Sequence, residues 1–357
     1  MSDWEKNVKK LVPYVPGEQP REKNIIKLNT NENPYPPAPA VQEVLEDFYA
    51  DELRRYPEPT LYELRGALAQ FHGVEPEQVF VGVGSDDVLA MSFLTYFSDA
   101  DMPVRFPDIT YSFYDVWCQL FAIDYEQVPV ADSFAIEFGG YEGRCGGIVI
   151  ANPNAPTGLA LDTASLGRLV ESHPECVVIV DEAYVDFGGE SMLPYIERFD
   201  NLLVVRTFSK SRALAGSRIG YAMGSQKLIG YLLAARDSFN SYTMDTITQR
   251  IGVASVRDVE YFERGVARIV ETRRWCCKRM QKMGFDFPET STNFIFARHR
   301  DVPAEEIFTK LRDRGIYVRY FKKPRIDNYL RITIGTDEQM EKLFEALDVI
   351  LSEAKNL

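Results

Sequence analysis

Histidine and cysteine, the side chains that most often build hydrolase triads and zinc sites, are scarce in this chain of 357 residues. The histidines are His72, His173 and His299. None of them lies near a plausible nucleophile and acid partner, which argues against a serine or cysteine hydrolase. We expect each histidine to be a surface residue or a hydrogen-bonded core residue.

The cysteines are equally uninformative as ligands, because none shows the spacing of a zinc site. They are Cys118, Cys145, Cys176, Cys276 and Cys277. The adjacent pair cannot easily form a disulfide, and an odd number without a secretion signal is typical of buried or free thiols in a reducing compartment. We therefore expect no metal site.

The chain also lacks a basic excess and a long apolar run. Its 53 acidic and 40 basic residues give a formal net charge of −13, which argues against nucleic-acid binding, although a local basic pocket for a phosphorylated substrate remains compatible with it. No apolar stretch reaches the roughly 18 residues that a membrane span needs, and the charged N-terminus has no signal-peptide core. We expect a cytoplasmic protein without membrane contact.

The patterning of the chain predicts two layered domains preceded by an arm. Residues 1–40 are rich in Pro and Asn and indicate an extended arm that also contributes to the small domain. Residues 41–245 alternate apolar strands with helices, which is typical of a parallel sheet covered on both faces. Residues 246–357 begin with a long helix and indicate a smaller α+β domain.

Four polar groups follow predicted strands of the larger domain, where open α/β sheets bind ligands. They are GVGSDD (82–87), NPNAPTG (152–158), DEAY (181–184) and SKSRALAGSRIG (209–220). Lys210 stands at such a strand end and could form an imine with an aldehyde, although a solvated surface lysine is the commoner case. Asp181 ends an apolar strand, so its carboxylate needs a cation such as a protonated pyridine nitrogen. Tyr184 could then reach the phenolic oxygen of the same ring, or the two residues could be a helix cap and core packing.

The GVGSDD segment could hold a phosphate, because glycines permit close approach and the amides of Ser85 and Asp86 begin a helix. Ser209 and Arg218 could complete this cradle. The segment is not the dinucleotide fingerprint, which would need glycine at position 87, where Asp87 stands. A nicotinamide dehydrogenase is disfavoured for the same reason.

Seven motifs in order give the chain a family resemblance over nearly its whole length. They are LNTNENP, RYPEP, GVGSDD, PDITYSFY, NPNAPTG, VDEAYVDF and TFSKSRALAGSRIGY. The sequence resembles the fold-type-I enzymes of the aspartate aminotransferase superfamily, which use pyridoxal 5′-phosphate (PLP), and within it the histidinol-phosphate aminotransferases. The resemblance implies a large α/β domain with a mostly parallel seven-stranded sheet, a smaller α+β domain, and a homodimer with shared active sites.

The resemblance also implies a role for each matching residue. Lys210 would hold PLP as a Schiff base and carry the proton, Asp181 would pair with the pyridine nitrogen, and Tyr184 would bond the phenolic oxygen. The phosphate would be bound by Ser85, Asp86, Ser209 and Arg218, with Tyr111 stacked on the ring and Tyr56 reaching the cofactor of the neighbouring subunit. Relatives carry Asn directly before Pro-Thr-Gly, but this chain has Ala155, so either Asn154 takes that role or Tyr184 acts alone.

The implied substrates are histidinol phosphate and the pair 2-oxoglutarate and glutamate, in histidine biosynthesis. Tyr14, Asn31, Arg319 and Arg331 would bind substrate, the two arginines together forming a site for a dianion. An ordinary surface ion pair is the alternative for Arg319. Other functions stay open at this point: an aromatic amino-acid aminotransferase, a threonine-phosphate decarboxylase, or a binding protein that kept the fold without chemistry.

Overall fold

The computed structural model describes residues 3–14, 17–20 and 24–355. The helices are α1 (Pro39–Glu46), α2 (Tyr62–His72), α3 (Ser85–Phe97), α4 (Tyr114–Phe121), α5 (Thr163–Glu171), α6 (Gln226–Phe239), α7 (Thr246–Arg257), α8 (Val259–Lys282), α9 (Ala304–Asp313) and α10 (Asp337–Lys355). The strands are β1 (Ile26–Leu28), β2 (Val79–Gly82), β3 (Val104–Pro107), β4 (Tyr125–Val128), β5 (Gly147–Ala151), β6 (Val178–Asp181), β7 (Leu202–Thr207), β8 (Gly220–Gly224), β9 (Phe285–Asp286), β10 (Phe294–His299), β11 (Ile316–Tyr320) and β12 (Leu330–Thr333).

A seven-stranded sheet with the order β2-β8-β7-β6-β5-β3-β4 forms the larger layer. Its neighbours pair in parallel from β7 to β4, and only β8 runs antiparallel to both β7 and β2. Alternate residues of β6 enter different cores: Val178 and Val180 pack on one face, and Ile179 packs on the other. Because both faces are covered, the central strands β5 and β6 are apolar up to Asp181, as the sequence predicted, whereas the edge strand β4 is exposed at three of its four residues.

A second sheet has the order β1-β11-β12-β10-β9 and packs against α8, α9 and α10 around its own core. Its pairs are antiparallel except for β1, which pairs in parallel with β11. The N-terminal strand is therefore part of the C-terminal sheet. The expected domain limits at residues 40 and 245 remain predictions.

Local capping chemistry explains where several helices begin and end. The Asp162 carboxylate accepts a hydrogen bond from the Ser165 amide and so starts α5, as expected for an N-cap. Helix α2 ends at Gly73, whose φ of 69° is accessible to glycine at little cost. Among the residues described, no helix combines the length and apolar character that a membrane crossing requires.

Candidate active site

The carboxyl ends of β6 and β7 meet the start of α3 at a cavity of about 280 Å³. Its walls bring together eight of the predicted site residues: Ser85, Asp86, Tyr111, Asp181, Tyr184, Ser209, Lys210 and Arg218. Thr30 and Glu32, from the segment that follows β1, close the cavity from the side of the second sheet. The strand-end interpretation therefore selected seven of these residues, and the family resemblance supplied Tyr111.

Lys210 follows β7 and its side chain is half-buried in this cavity. Its Nζ donates to the Thr30 carbonyl over 3.1 Å and lies 5.8 Å from the centre of the Tyr184 ring. Its backbone carbonyl accepts from the Asn33 side chain. The amine is thus held between segments of both sheets, within reach of a ligand in the cavity.

Asp181 is a buried carboxylate, 5% exposed, and none of the described residues forms an ion pair with it. Burial is the main cause that raises its pKa from 3.8 to about 6, opposed by the hydrogen bonds it accepts from Tyr114 and the Ala183 amide. A carboxylate so placed is stabilised by a cation in the cavity. A protonated pyridine nitrogen meets that requirement.

Tyr114 is a site residue that the sequence interpretation missed. Its ring is fully buried at the start of α4, and its hydroxyl donates to Asp181 Oδ2 over 2.8 Å. The available signal was its position three residues after Tyr111, which places both tyrosines on one side of the turn that opens the helix. Without the fold, nothing in the sequence linked Tyr114 to a strand end far along the chain.

The start of α3 has the close approaches that the predicted anion cradle would need. A side chain on Gly84, whose φ is 88°, would come within 2.5 Å of the Arg218 guanidinium, and one on Gly220 would come within 2.2 Å of the Ser85 amide nitrogen. Glycine at both positions therefore lets Arg218 approach the helix N-terminus. Free amides and the helix dipole at this end favour a phosphate.

The Asp86 side chain orients its neighbours. Its carboxylate accepts from Arg218 Nη2 over 3.1 Å and from the Tyr111 hydroxyl over 2.7 Å. Arg218 Nη1 also lies 3.4 Å from Ser209 Oγ. A phosphate would be bound by the Asp86 backbone amide, because its carboxylate carries charge of the same sign. Burial, reinforced by Asp86, raises the pKa of Tyr111, so its ring stays neutral at the cavity wall.

The structure corrects the expectation for Asn154. Its amide is buried and committed to the Thr110 hydroxyl, the Ile109 carbonyl and Thr157, so it does not line the cavity. Ala155 lines the cavity instead with a methyl group. Asn31, expected to bind substrate, also lies outside the cavity and donates to the Tyr184 hydroxyl over 2.9 Å.

The expected substrate arginines face each other across β11 and β12, where Arg319 and Arg331 are paired positions. Arg331 Nη2 donates to the Asn29 carbonyl, but its buried Nε has no hydrogen-bond partner within the described chain. The pKa of Arg331 is lowered, mainly because the side chain is buried. The nearby Tyr184 opposes this shift and Arg319 adds to it. Tyr14 and Arg319 line a separate cavity of about 620 Å³.

Tyr56 lies away from both cavities. Its side chain is 82% exposed and packs 4.6 Å from the ring of Tyr242. One chain alone therefore does not bring Tyr56 to the cavity, and its expected role depends on a second subunit.

The residues present fit PLP group by group. The cavity offers an amine for the aldehyde, an acid for the ring nitrogen, a phenol for the phenolic oxygen, and an anion cradle for the phosphate. The burial of Asp181, with no cationic partner among residues 3–14, 17–20 and 24–355, is the observation that most directly calls for such a group.

Comparisons with known proteins agree with this chemistry. The family described as "Aminotransferase class I and II" matches residues 23–347. The histidinol-phosphate aminotransferase of Lactococcus lactis subsp. cremoris (strain MG1363) is 47% identical over 96% of this chain and 96% of its own. That of Chromohalobacter salexigens is 50% identical over 97% of this chain and 98% of its own.

Solved structures show the same fold. Histidinol-phosphate aminotransferase from Sinorhizobium meliloti in complex with pyridoxal-5′-phosphate superposes with a TM-score of 0.82 at 24% identity, covering 92% of this chain and 91% of that one. Aspartate aminotransferase from Thermus thermophilus with maleate gives 0.77 at 20% identity, covering 91% of each chain. At these identities the likeness establishes the fold.

We expect Asp181→Asn to stabilise the cofactor-free protein at pH 8 and to weaken the stabilisation that PLP confers. The folded pKa of about 6 lies above the unfolded value, so the unfolded chain loses its proton first, and wild-type stability falls as pH rises from about 4 to about 6. The variant avoids this loss and should melt at least about 2 °C higher at pH 8, with a smaller gain at pH 5. Thermal melts with and without PLP test this, and the exposed Asp99→Asn is the control; equal gains at both pH values would contradict the prediction.

We expect Tyr114→Phe to weaken PLP binding by about tenfold or more, because a hydrogen bond to a buried charge is lost. Tyr96→Phe is a matched control, since its hydroxyl donates to the Leu228 carbonyl away from the cavity. Titration of the cofactor-free proteins with PLP, followed by fluorescence, gives both affinities. Equal affinities of the two variants for PLP would show that the Tyr114 hydroxyl does not contribute to PLP binding.

Proposed function

The chain belongs to the class I and II aminotransferases and is a PLP-dependent enzyme, and we propose that it transfers amino groups between histidinol phosphate and 2-oxoglutarate. The products would be imidazole acetol phosphate and glutamate, in a cytoplasmic step of histidine biosynthesis. Two relatives that bear the histidinol-phosphate aminotransferase name and cover nearly the whole chain support this assignment.

The arginine pair is the observation that carries the substrate proposal. Arg319 and Arg331 face each other on antiparallel strands, and the buried Nε of Arg331 lacks an acceptor among the described residues. Two planar guanidiniums suit the oxygens of a phosphate dianion better than they suit those of a single carboxylate. Tyr14, which lines the cavity shared with Arg319, adds a hydroxyl from the N-terminal arm.

PLP supplies an electron sink when it is bound at Lys210. Lys210 Nζ would move the proton from the substrate Cα, since its flexible amine lies within the cavity and donates to the Thr30 carbonyl. Asp181 would hold the proton on the ring nitrogen. Tyr184 would donate a hydrogen bond from its hydroxyl to the phenolic oxygen, and Arg218 would bind the phosphate.

We also propose a homodimer in which Tyr56 completes the neighbouring active site. Tyr242, whose ring contacts that of Tyr56, is exposed, and so are the large side chains of Tyr49, Leu53 and Tyr62, which lie within seven positions of Tyr56 in the sequence. Exposed large apolar side chains of this kind on a monomer support an interaction surface. A twofold axis through it would place each Tyr56 against the partner subunit.

Mixing purified enzyme with single amino donors should show that histidinol phosphate and glutamate, the donors of the two half-reactions, each bleach the visible band of bound PLP. Arg319→Lys and Arg331→Lys should each raise the KM for histidinol phosphate about tenfold to a hundredfold, because paired charge-assisted bonds are lost. The exposed Arg298→Lys, on β10 of the same sheet, should leave the KM unchanged. Lys210→Ala should abolish the band.

The same panel separates the rivals. Bleaching by phenylalanine but not by histidinol phosphate would make the enzyme an aromatic aminotransferase. Release of carbon dioxide from threonine phosphate would make it a decarboxylase. Absence of a visible band from the wild type would leave a protein that kept the fold without the chemistry.

Tyr56→Ala and Lys210→Ala should each be weakly active or inactive, yet unfolding and refolding them together should restore up to about one quarter of wild-type activity. In a mixed dimer one site receives an intact Lys210 and an intact Tyr56 from different chains. Each variant refolded alone is the control. No recovery, despite dimers seen by light scattering, would place Tyr56 outside the shared site.

A further inference from the structure

We propose that Asn31 is a positioning residue that acts through Tyr184: its amide directs the Tyr184 hydroxyl proton into the cavity and so sets the proton affinity of the Lys210–PLP linkage. This inference rests on the proposed function, because it takes PLP as the ligand of the cavity. It gives Asn31 a role other than binding substrate. The evidence is the set of hydrogen bonds that fixes each atom of the Asn31 side chain.

Asn31 is 1% exposed and lies between the two sheets. Its Nδ2 donates to the Tyr184 hydroxyl oxygen over 2.9 Å. Its Oδ1 accepts from the Thr333 hydroxyl over 3.0 Å. Its own carbonyl accepts from the Asn293 side chain over 3.0 Å. Apart from its backbone amide, every polar group of Asn31 thus has a partner. These partners are Thr333 on β12, Tyr184 in the turn after β6, and Asn293 just before β10.

The remaining group, the Asn31 backbone amide, supports the orientation in which Nδ2 of the side-chain amide faces Tyr184. It donates to Thr333 Oγ1 over 3.0 Å. Thr333 therefore accepts from the backbone and turns its single hydroxyl proton towards Asn31 Oδ1. With Oδ1 occupied by that proton, Nδ2 is the end that faces Tyr184, so Asn31 is a donor to the phenol.

A phenol that accepts a hydrogen bond has its own proton left to give. Tyr184 lines the cavity, and Asn31 approaches it from outside the cavity, so the proton is directed inward. Hydrogen bonds in such a chain polarise each other, which makes Tyr184 a stronger donor to a negative oxygen. Ala155 offers only a methyl group nearby, and the Asn154 amide is committed elsewhere.

The consequence can be measured on the bound cofactor. A stronger donor to the phenolic oxygen stabilises its negative charge and weakens its hold on the proton of the Lys210–PLP linkage. Loss of the Asn31 amide should therefore raise the pKa of that linkage. The visible absorbance of bound PLP, recorded against pH, reports this pKa without turnover.

Asn31→Gly is the appropriate variant, because Asn31 has a φ of 56° that glycine adopts without strain. We expect its absorbance transition to move upward by about 0.5 to 1 pH unit relative to wild type, the scale of one hydrogen bond. Tyr184→Phe should move it further in the same direction. In the double variant Asn31→Gly/Tyr184→Phe, the Asn31 change should add no further shift, because the relay through the hydroxyl is already cut.

Asn24→Gly is the matched control, since Asn24 also has a positive φ, of 65°, but is exposed and outside the cavity. It should leave the transition at the wild-type pH. If Asn31→Gly fails to fold, Thr333→Val replaces it, because it removes the hydroxyl that orients the amide while keeping a side chain of similar shape; an upward shift is expected there too.

The outcomes separate the two proposals. A wild-type band that titrates and is lost in Lys210→Ala, combined with an unchanged transition in both Asn31→Gly and Thr333→Val, would overturn the role of Asn31 alone. Additive shifts in the double variant would also overturn it, because Asn31 would then act on the cofactor without Tyr184. A wild-type protein that never acquires a visible band with PLP would overturn the proposed function itself.

Discussion

The active site depends on the burial of the Asp181 carboxylate, which is energetically unfavourable for a charged group. The side chain lies at the end of a strand whose three preceding residues are all apolar. It accepts hydrogen bonds but contacts no cation among the described residues. Much of the surrounding arrangement follows from this. The lysine, the phenols and the helix N-terminus surround the same space, so a ligand that satisfies Asp181 also meets the groups that bind its other end.

The residues that the sequence predicted best are those whose place follows from topology. Parallel strands end at one edge of a sheet, so Asp181 and Lys210 had to lie near each other once both were recognised as strand ends. Arg218 and Ser85 could be predicted because the glycines next to them permit the close approach that a phosphate site needs. The β-α alternation was predictable for the same reason, since each apolar strand needs cover on both faces, whereas the number of strands came from the family resemblance.

The contacts that could not be predicted join side chains whose proximity depends on packing between distant segments. Tyr114 reaches Asp181 only because α4 packs into the core that also contains Ile179 of β6, and Asn31 reaches Tyr184 only because β1 joins the second sheet. Asn154 shows the converse: its neighbours in sequence suggested the cavity, but the loop turns its amide towards Ile109 and Thr110. Sequence order gives which strand end a residue follows, and it does not give which way the side chain turns.

The pairing of β1 with β11 has a consequence for biosynthesis. Strand β1 is synthesised long before its partner strand, so the two cannot pair until residues 316–320 have been made. Thr30 and Asn31, which touch Lys210 and Tyr184, are carried by the segment directly after β1. A nascent chain can therefore complete its large sheet first, yet the pocket closes only after residues 316–320 have been synthesised, and termination before residue 316 leaves it open.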